Sequence, residues 1–197
     1  MLRSWLPKCD CPDHHLWRRI YTYEGSARIP FIVVPPLGEE RSIPSQLDGD
    51  QSAVVELRDV MPTLLDAAGL PIPDTVDGCS VLPLLQEKAT HWRDYIHGEH
   101  CTCYSEEQEM QFVTDGKRKL IWFPRMGSEQ FFDLEADPGE VYNLIEDPAR
   151  QDEIRHWRGF LVQELEERDC GWVKDGKPYC PNDEPLVAPY KNVRWWR

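Results

Sequence analysis

The chain has 197 residues, with 35 acids against 22 bases and a formal charge of -13. That length allows one sizeable core or two small ones, and 41 % hydrophobic with 29 % charged residues is ordinary for a soluble globular protein. The negative field repels a phosphate backbone, which argues against nucleic acid as a partner, and runs such as "FIVV" are far too short to cross a membrane.

The first residues, "MLRSWLPKC", have no apolar stretch of the secretory type. Cysteines stand at Cys9, Cys11, Cys79, Cys101, Cys103, Cys170 and Cys180, and this odd set of 7 leaves one over in a fully paired framework. It favours a reducing, cytoplasmic compartment. The stretch "CDCPDHHLWRRIYTYEGSARIP" can be read in two ways. Cys9, Cys11, His14 and His15 can form a small metal clasp, or most of the stretch can be one wall of a larger site.

"IPFIVV", residues 29–34, is a continuous apolar run, the pattern of a strand covered on both faces in a parallel sheet. Residues 35–53, rich in Pro, Gly, Ser and Asp, read as a long loop. "ELRDVMPTLLDAAGL" predicts a helix capped by Asp59, with Pro62 in its first turn and Gly69 at its end. Val60, Met61, Leu64, Leu65 and Ala68 form its expected apolar face. "DGCSVLPLLQ" adds a short apolar segment packed nearby.

After about residue 92 the pattern changes. "DYIHGEH" reads as a strand, "MQFVTDGKRKLIWF" as a hairpin turning at Asp115-Gly116, and "EQFFDLEADPGE" as a third strand ending in a Pro-Gly turn. Residues 148–168 predict a helix opened by Pro148, with Ile154, Trp157, Leu161 and Leu165 on its core face. Residues 170–197 carry little periodicity and read as an extended tail.

Four segments in this order, "LWRRIYTYEGSARIPFIV", "LRDVMPTLLDAAGL", "DGCSVLPLL" and "EQFFDLEADPGEVYNL", resemble the C-terminal part of a sulfatase of the alkaline-phosphatase-like superfamily. The resemblance runs from about Asp13 to about Leu144. It implies an α/β fold, a partial alkaline-phosphatase-like sheet over 13–91, followed by an α+β subdomain over 92–169 with an antiparallel sheet and one long helix, then the tail.

It also implies hydrolysis of sulfate esters by a hydrated formylglycine, with Ca2+ and basic residues holding the sulfate. The family places a lysine just before the Tyr-Glu-Gly turn, and here that position is Arg19. Arginine keeps its charge and can contact two oxygens, but it cannot donate a proton as lysine does. Glu24 and Gly25 are expected to shape the turn, glycine permitting close approach or positive φ. His97, Glu99 and His100 are substrate-side candidates, with His97 and Glu99 on one strand face and His100 on the other.

The family's Cys/Ser-x-Pro-x-Arg nucleophile motif is not in the chain. "SIPSQ" at Ser42 is a near match with Gln46 in place of the arginine, and it follows the Tyr-Glu-Gly turn instead of preceding it. Asp13-His14 sits too close to Arg19 for the metal pair, so the Ca2+ ligands and the nucleophile are expected upstream and the chain is expected to be inactive by itself. Strand partners for "FIVV" are expected there too, which predicts an oligomer or a partner chain over that sheet edge. An alternative reading from the residues is a small zinc-binding or interaction module that uses Cys9, Cys11 and His14 with Cys101, Cys103, His97 and His100.

Overall fold

The structure, a computed structural model, describes residues 21–34, 53–86, 91–100, 106–168 and 171–180. These fall into two units, the described residues of Met1–Ile29 with His97–Arg197 in one and those of Pro30–Ile96 in the other. At the start of the first, the Tyr-Glu-Gly stretch makes a single helical turn, α1 (Glu24–Ala27). Of the two uses expected for Gly25, close approach or positive φ, it does not take the positive φ, and it lies within the helical turn.

The run 29–34, of which residues 30–34 belong to the second unit, forms no strand among the described residues, and Ile32 and Val34 are 80 % and 79 % exposed. A strand of a parallel sheet is held by ladders to its neighbours, and no described segment of this unit supplies one. A 3-10 turn, Leu57–Asp59, leads into α2 (Val60–Ala67), which ends at Gly69 in the left-handed region. Pro62 lies in the first turn as predicted, but the inward face carries Pro62 and Thr63 while Val60, Met61 and Leu64 are exposed.

The reason for this inversion is polar. Thr63 Oγ1 donates to the Asp59 carbonyl at 2.6 Å and accepts from the Val81 amide at 3.0 Å. That draws the buried Val81 and α3 (Leu82–Leu85) against α2, the packing expected for this segment. Asp59 does not cap α2 with its side chain. It is fully buried, and its carboxylate accepts from the amides of Glu56 and Cys79 and from Arg93.

The first unit holds a four-stranded sheet in the order β1 (Ile96–His100), β2 (Met110–Thr114), β3 (Arg118–Phe123), β4 (Ser128–Asp133). β2 and β3 pair antiparallel, as do β3 and β4, with Thr114 opposite Lys119 and Lys119 opposite Phe132. Asp115 Oδ1 accepts from the amides of Lys117 and Arg118, and Gly116 has φ 83°. The loop is therefore longer than a two-residue turn.

Alternation gives the sheet two faces. On one, Met110, Ile121, Phe123, Phe132 and the following Leu134 form a buried cluster, with Tyr21, Tyr23 and Phe112 packed on it. The other carries Val113, Leu120, Trp122 and Phe131 and meets α4 (Gln151–Glu167). Helix α4 follows a 3-10 turn, Pro148–Arg150, that is capped by the Asp147 carboxylate on the Ala149 amide. It buries Ile154, Trp157, Leu161 and Leu165 as predicted, each contributing about 1.5–3 kcal/mol. Arg118, held by Asp133 and Glu153, and Arg158, held by Glu129, tie sheet to helix at the rim. After α4, Val173–Lys174 (β5) and Lys177–Pro178 (β6) pair through Asp175 and Gly176, both at positive φ. This hairpin and the buried Trp172 belong to a stretch whose sequence shows no periodicity.

Candidate functional site

The segment leading into α1 is fastened to the sheet residue by residue. Tyr21 and Tyr23 stack at 6.0 Å between centroids, and Tyr23 meets the Phe132 ring edge-on at 6.1 Å. Thr22 Oγ1 donates to Met110 Sδ at 3.4 Å, and the Tyr23 hydroxyl donates to Gln130 Oε1 at 2.8 Å. Burial is the main cause that raises the Tyr23 hydroxyl above its usual pKa.

Next to this lies a buried charge cluster. Lys119 is fully buried, and its ammonium donates to Glu24 Oε1 at 2.8 Å and to Glu140 Oε1 at 3.0 Å. The other Glu140 oxygen accepts from the Glu24 amide at 2.5 Å. Burial raises the Glu140 carboxyl, and the Lys119 charge, opposing it, does not fully cancel the effect. Glu24 is thus engaged through both backbone and side chain, the shaping role the sequence suggested for it.

At the edge strand β1, His97 and Glu99 close a ring of hydrogen bonds with Gln111 and Arg168. Arg168 donates to Glu99 Oε2 at 2.6 Å and to His97 Nδ1 at 3.1 Å. His97 Nε2 bonds Gln111 Oε1 at 2.8 Å, and Gln111 Nε2 donates to Glu99 Oε2 at 3.3 Å. Since a guanidinium only donates, His97 Nδ1 must accept and Nε2 carries the hydrogen. Burial alone would raise the Glu99 carboxyl, yet the Arg168 hydrogen bond and charge outweigh it and hold it below the usual range. His100 is apart from the ring, its Nδ1 3.2 Å from the Gln108 carbonyl.

His97 and Glu99 therefore share a face and a set of partners, joined by Arg168 and Gln111, which sequence reasoning did not single out. Arg19, Cys9, Cys11, His14, His15, Cys101 and Cys103 lie outside the described residues. Both ring nitrogens of His97 are occupied by protein groups, so zinc ligation there would have to break the ring of hydrogen bonds. Among the described residues no group of three or more His, Cys, Asp or Glu can hold a metal, so these residues do not fit the family's Ca2+. Lys119 and Glu140 were also missed. The signal was present for Lys119, which alternates with Ile121 and Phe123 and so points into the core.

Residues 12–167 match the family described as N-sulphoglucosamine sulphohydrolase, C-terminal. The chain is 42 % identical over 165 residues to an arylsulfatase of Clostridium perfringens, covering 84 % of this chain and 33 % of that protein. To arylsulfatase K of Gallus gallus it is 30 % identical over 141 residues, covering 67 % and 25 %. A solved 2-O GAG sulfatase superposes with a TM-score of 0.53 at 25 % identity, over 64 % of this chain and 28 % of that one. The chain thus spans about a third or less of the length of these relatives. With the match running through the anchored Tyr-Glu-Gly turn, the sheet and α4, the chain belongs to the N-sulphoglucosamine sulphohydrolase C-terminal family and represents the C-terminal portion of a sulfatase of the alkaline-phosphatase-like superfamily.

Proposed function

We propose that this chain forms part of a sulfate-ester hydrolase and supplies one wall of its site, while the nucleophile and the Ca2+ ligands come from a region it does not contain. The family match over residues 12–167 carries this reading. In the complete enzyme the attacking group is a hydrated formylglycine. Arg19 stands where the family has a sulfate-holding lysine, and its permanent charge suits oxygens on which charge builds as the S–O bond breaks. His97 and Glu99 serve by shaping the sheet edge through Arg168 and Gln111, with His100 beside them. The partner chemistry is a sulfate ester, and the compartment a reducing one.

The test compares the purified 197-residue chain with the complete enzyme on an aryl sulfate. The chain by itself is expected to give no sulfate release above buffer, since the nucleophile is absent. In the complete enzyme, Arg19→Ala is expected to lower kcat/KM by about 10²-fold or more, the scale of losing one charge-stabilising group. Substantial turnover by the short chain would overturn the division of labour, and an unaffected Arg19→Ala enzyme would remove Arg19 from the site.

A further inference from the structure

We propose that α1 is held by an acid-tightened latch: as pH falls, the Lys119–Glu24–Glu140 cluster takes up a proton from solvent and fastens α1 more firmly to the sheet. Every group in the latch is among the described residues, and none of them has to touch a substrate.

The charge count comes first. Lys119 alternates along β3 with the buried Ile121 and Phe123, and its side chain is 0 % exposed. Two carboxylates converge on this one ammonium, Glu24 at 2.8 Å and Glu140 at 3.0 Å, so the ionised cluster holds one negative charge more than it can pair. A surplus buried charge is unfavourable, and two acids at one site resist ionising together. The deeper acid takes the proton: the Glu140 side chain is 1 % exposed, that of Glu24 16 %. Burial is the largest cause that raises the Glu140 carboxyl; Lys119 opposes it and Glu24 adds to it. Of the other titratable groups nearby, Tyr23 is neutral and donates to Gln130, and Asp137 turns its carboxylate to the Tyr142 amide.

The cluster also grips the backbone of α1. Glu140 Oε2 accepts from the Glu24 amide at 2.5 Å. The turn that begins there is closed by the Ser26 and Ala27 amides on the Tyr23 carbonyl and by the Arg28 amide on the Glu24 carbonyl. The loop after β4 presents Glu140 at φ 52°, a left-handed conformation unusual for glutamate. With a proton on Glu140, the ammonium and the Glu24 carboxylate remain as a balanced pair, and the Glu140 carboxyl still has an oxygen for the Glu24 amide. Lifting α1 off the sheet returns Glu140 to water and to its ordinary value, so the closed state binds more protons than the open one. The added hold is therefore complete below that ordinary value, near 4.5, and is lost as pH rises through the raised value of the closed state.

The test uses the 197-residue chain. An isotope-edited carboxyl NMR titration follows Glu140, assigned through Glu140→Gln. Amide exchange at Glu24, Ser26, Ala27 and Arg28 is read at about pH 5 and about pH 7.5, as protection relative to the unfolded chain. Both conditions lie above the range in which Glu99 titrates. The Glu140 midpoint is expected above 4.5, and protection of these amides is expected to be about threefold or more higher at the lower pH. Glu140→Gln, which fixes the neutral form, should show the higher protection under both conditions.

Should Glu140→Gln fail to fold, Glu24→Gln leaves one carboxylate for one ammonium and is expected to abolish the pH dependence as well. Protection that is equal under the two conditions, or that falls in acid, overturns the latch, as does a Glu140 midpoint at or below 4.5. A pH dependence that persists in the folded variant also overturns it and places the titrating group elsewhere.

Discussion

Arg93 closes on the buried carboxylate of Asp59 with two guanidinium nitrogens, at 2.7 and 3.0 Å, across 34 residues of sequence. The same carboxylate accepts the amides of Cys79 and Glu56, so one side chain joins residues 56, 59, 79 and 93 of this unit. Asp59→Ala leaves two amides without their acceptor and Arg93 with Glu56 as its remaining carboxylate partner, and is expected to cost about 3–5 kcal/mol. Arg93→Lys should lose much of this as well, because a lysine cannot make the forked contact. Urea unfolding of both variants checks this, and a change below about 1 kcal/mol for Asp59→Ala would refute it.

Two glycines should respond oppositely to alanine. A Cβ at Gly78 would lie 2.0 Å from the Arg58 carbonyl oxygen, a backbone atom that cannot swing aside. Gly78→Ala is expected to destabilise by at least about 3 kcal/mol, or to prevent folding of the unit. Gly159 sits mid-way in α4 with nothing within 4 Å of its would-be Cβ. Gly159→Ala should stabilise by about 0.5–1 kcal/mol, seen as a raised unfolding midpoint.

The Glu99–Arg168 pair makes stability depend on acid. The Glu99 carboxyl is held below its ordinary value near 4.5 in the folded state. The native state thus binds fewer protons than the unfolded one. The stabilisation it brings is complete above that ordinary value and is lost as pH falls through the lower folded value. Glu99→Gln should therefore flatten the stability profile below about pH 4.5, where the unaltered protein loses stability. Matching profiles for the two proteins would exclude a Glu99 contribution.

The exposed apolar side chains of the second unit predict association. Ile32, Val34, Leu57, Met61 and Leu64 all face solvent on 29–34 and on the α2 segment. Surfaces of this kind mark sites that another chain segment covers. The 197-residue chain is expected to bind a hydrophobic dye and to sediment above monomer mass. Ile32→Lys with Leu64→Lys should reduce both signals, and a dye-silent monomer would count against the expectation.

Where hydrophobic period and capping agreed, the sequence was read correctly. The strands from Ile96 to Asp133 and the buried stripe of α4 are local patterns that spacing and turn residues announce. The hairpin at Asp175-Gly176 had a legible Asp-Gly signal between short strand residues, but its strands are too short for alternation to register. The α2 face was misread because Thr63, a polar residue, is drawn inward by a hydrogen bond from Val81, a partner eighteen residues away that no helical period announces.

The candidate site was less legible. Alternation placed His97 and Glu99 together, yet their partner Arg168 lies 71 and 69 residues away, and Lys119 meets Glu24 across 95 residues. The amino-acid order by itself determined the family, the strand and helix pattern, and the resemblance that singles out Arg19, because these depend on neighbours in the chain. Only the tertiary structure decided which charges are buried and with whom. A buried ion needs a partner at about 3 Å, and long-range packing chooses that partner.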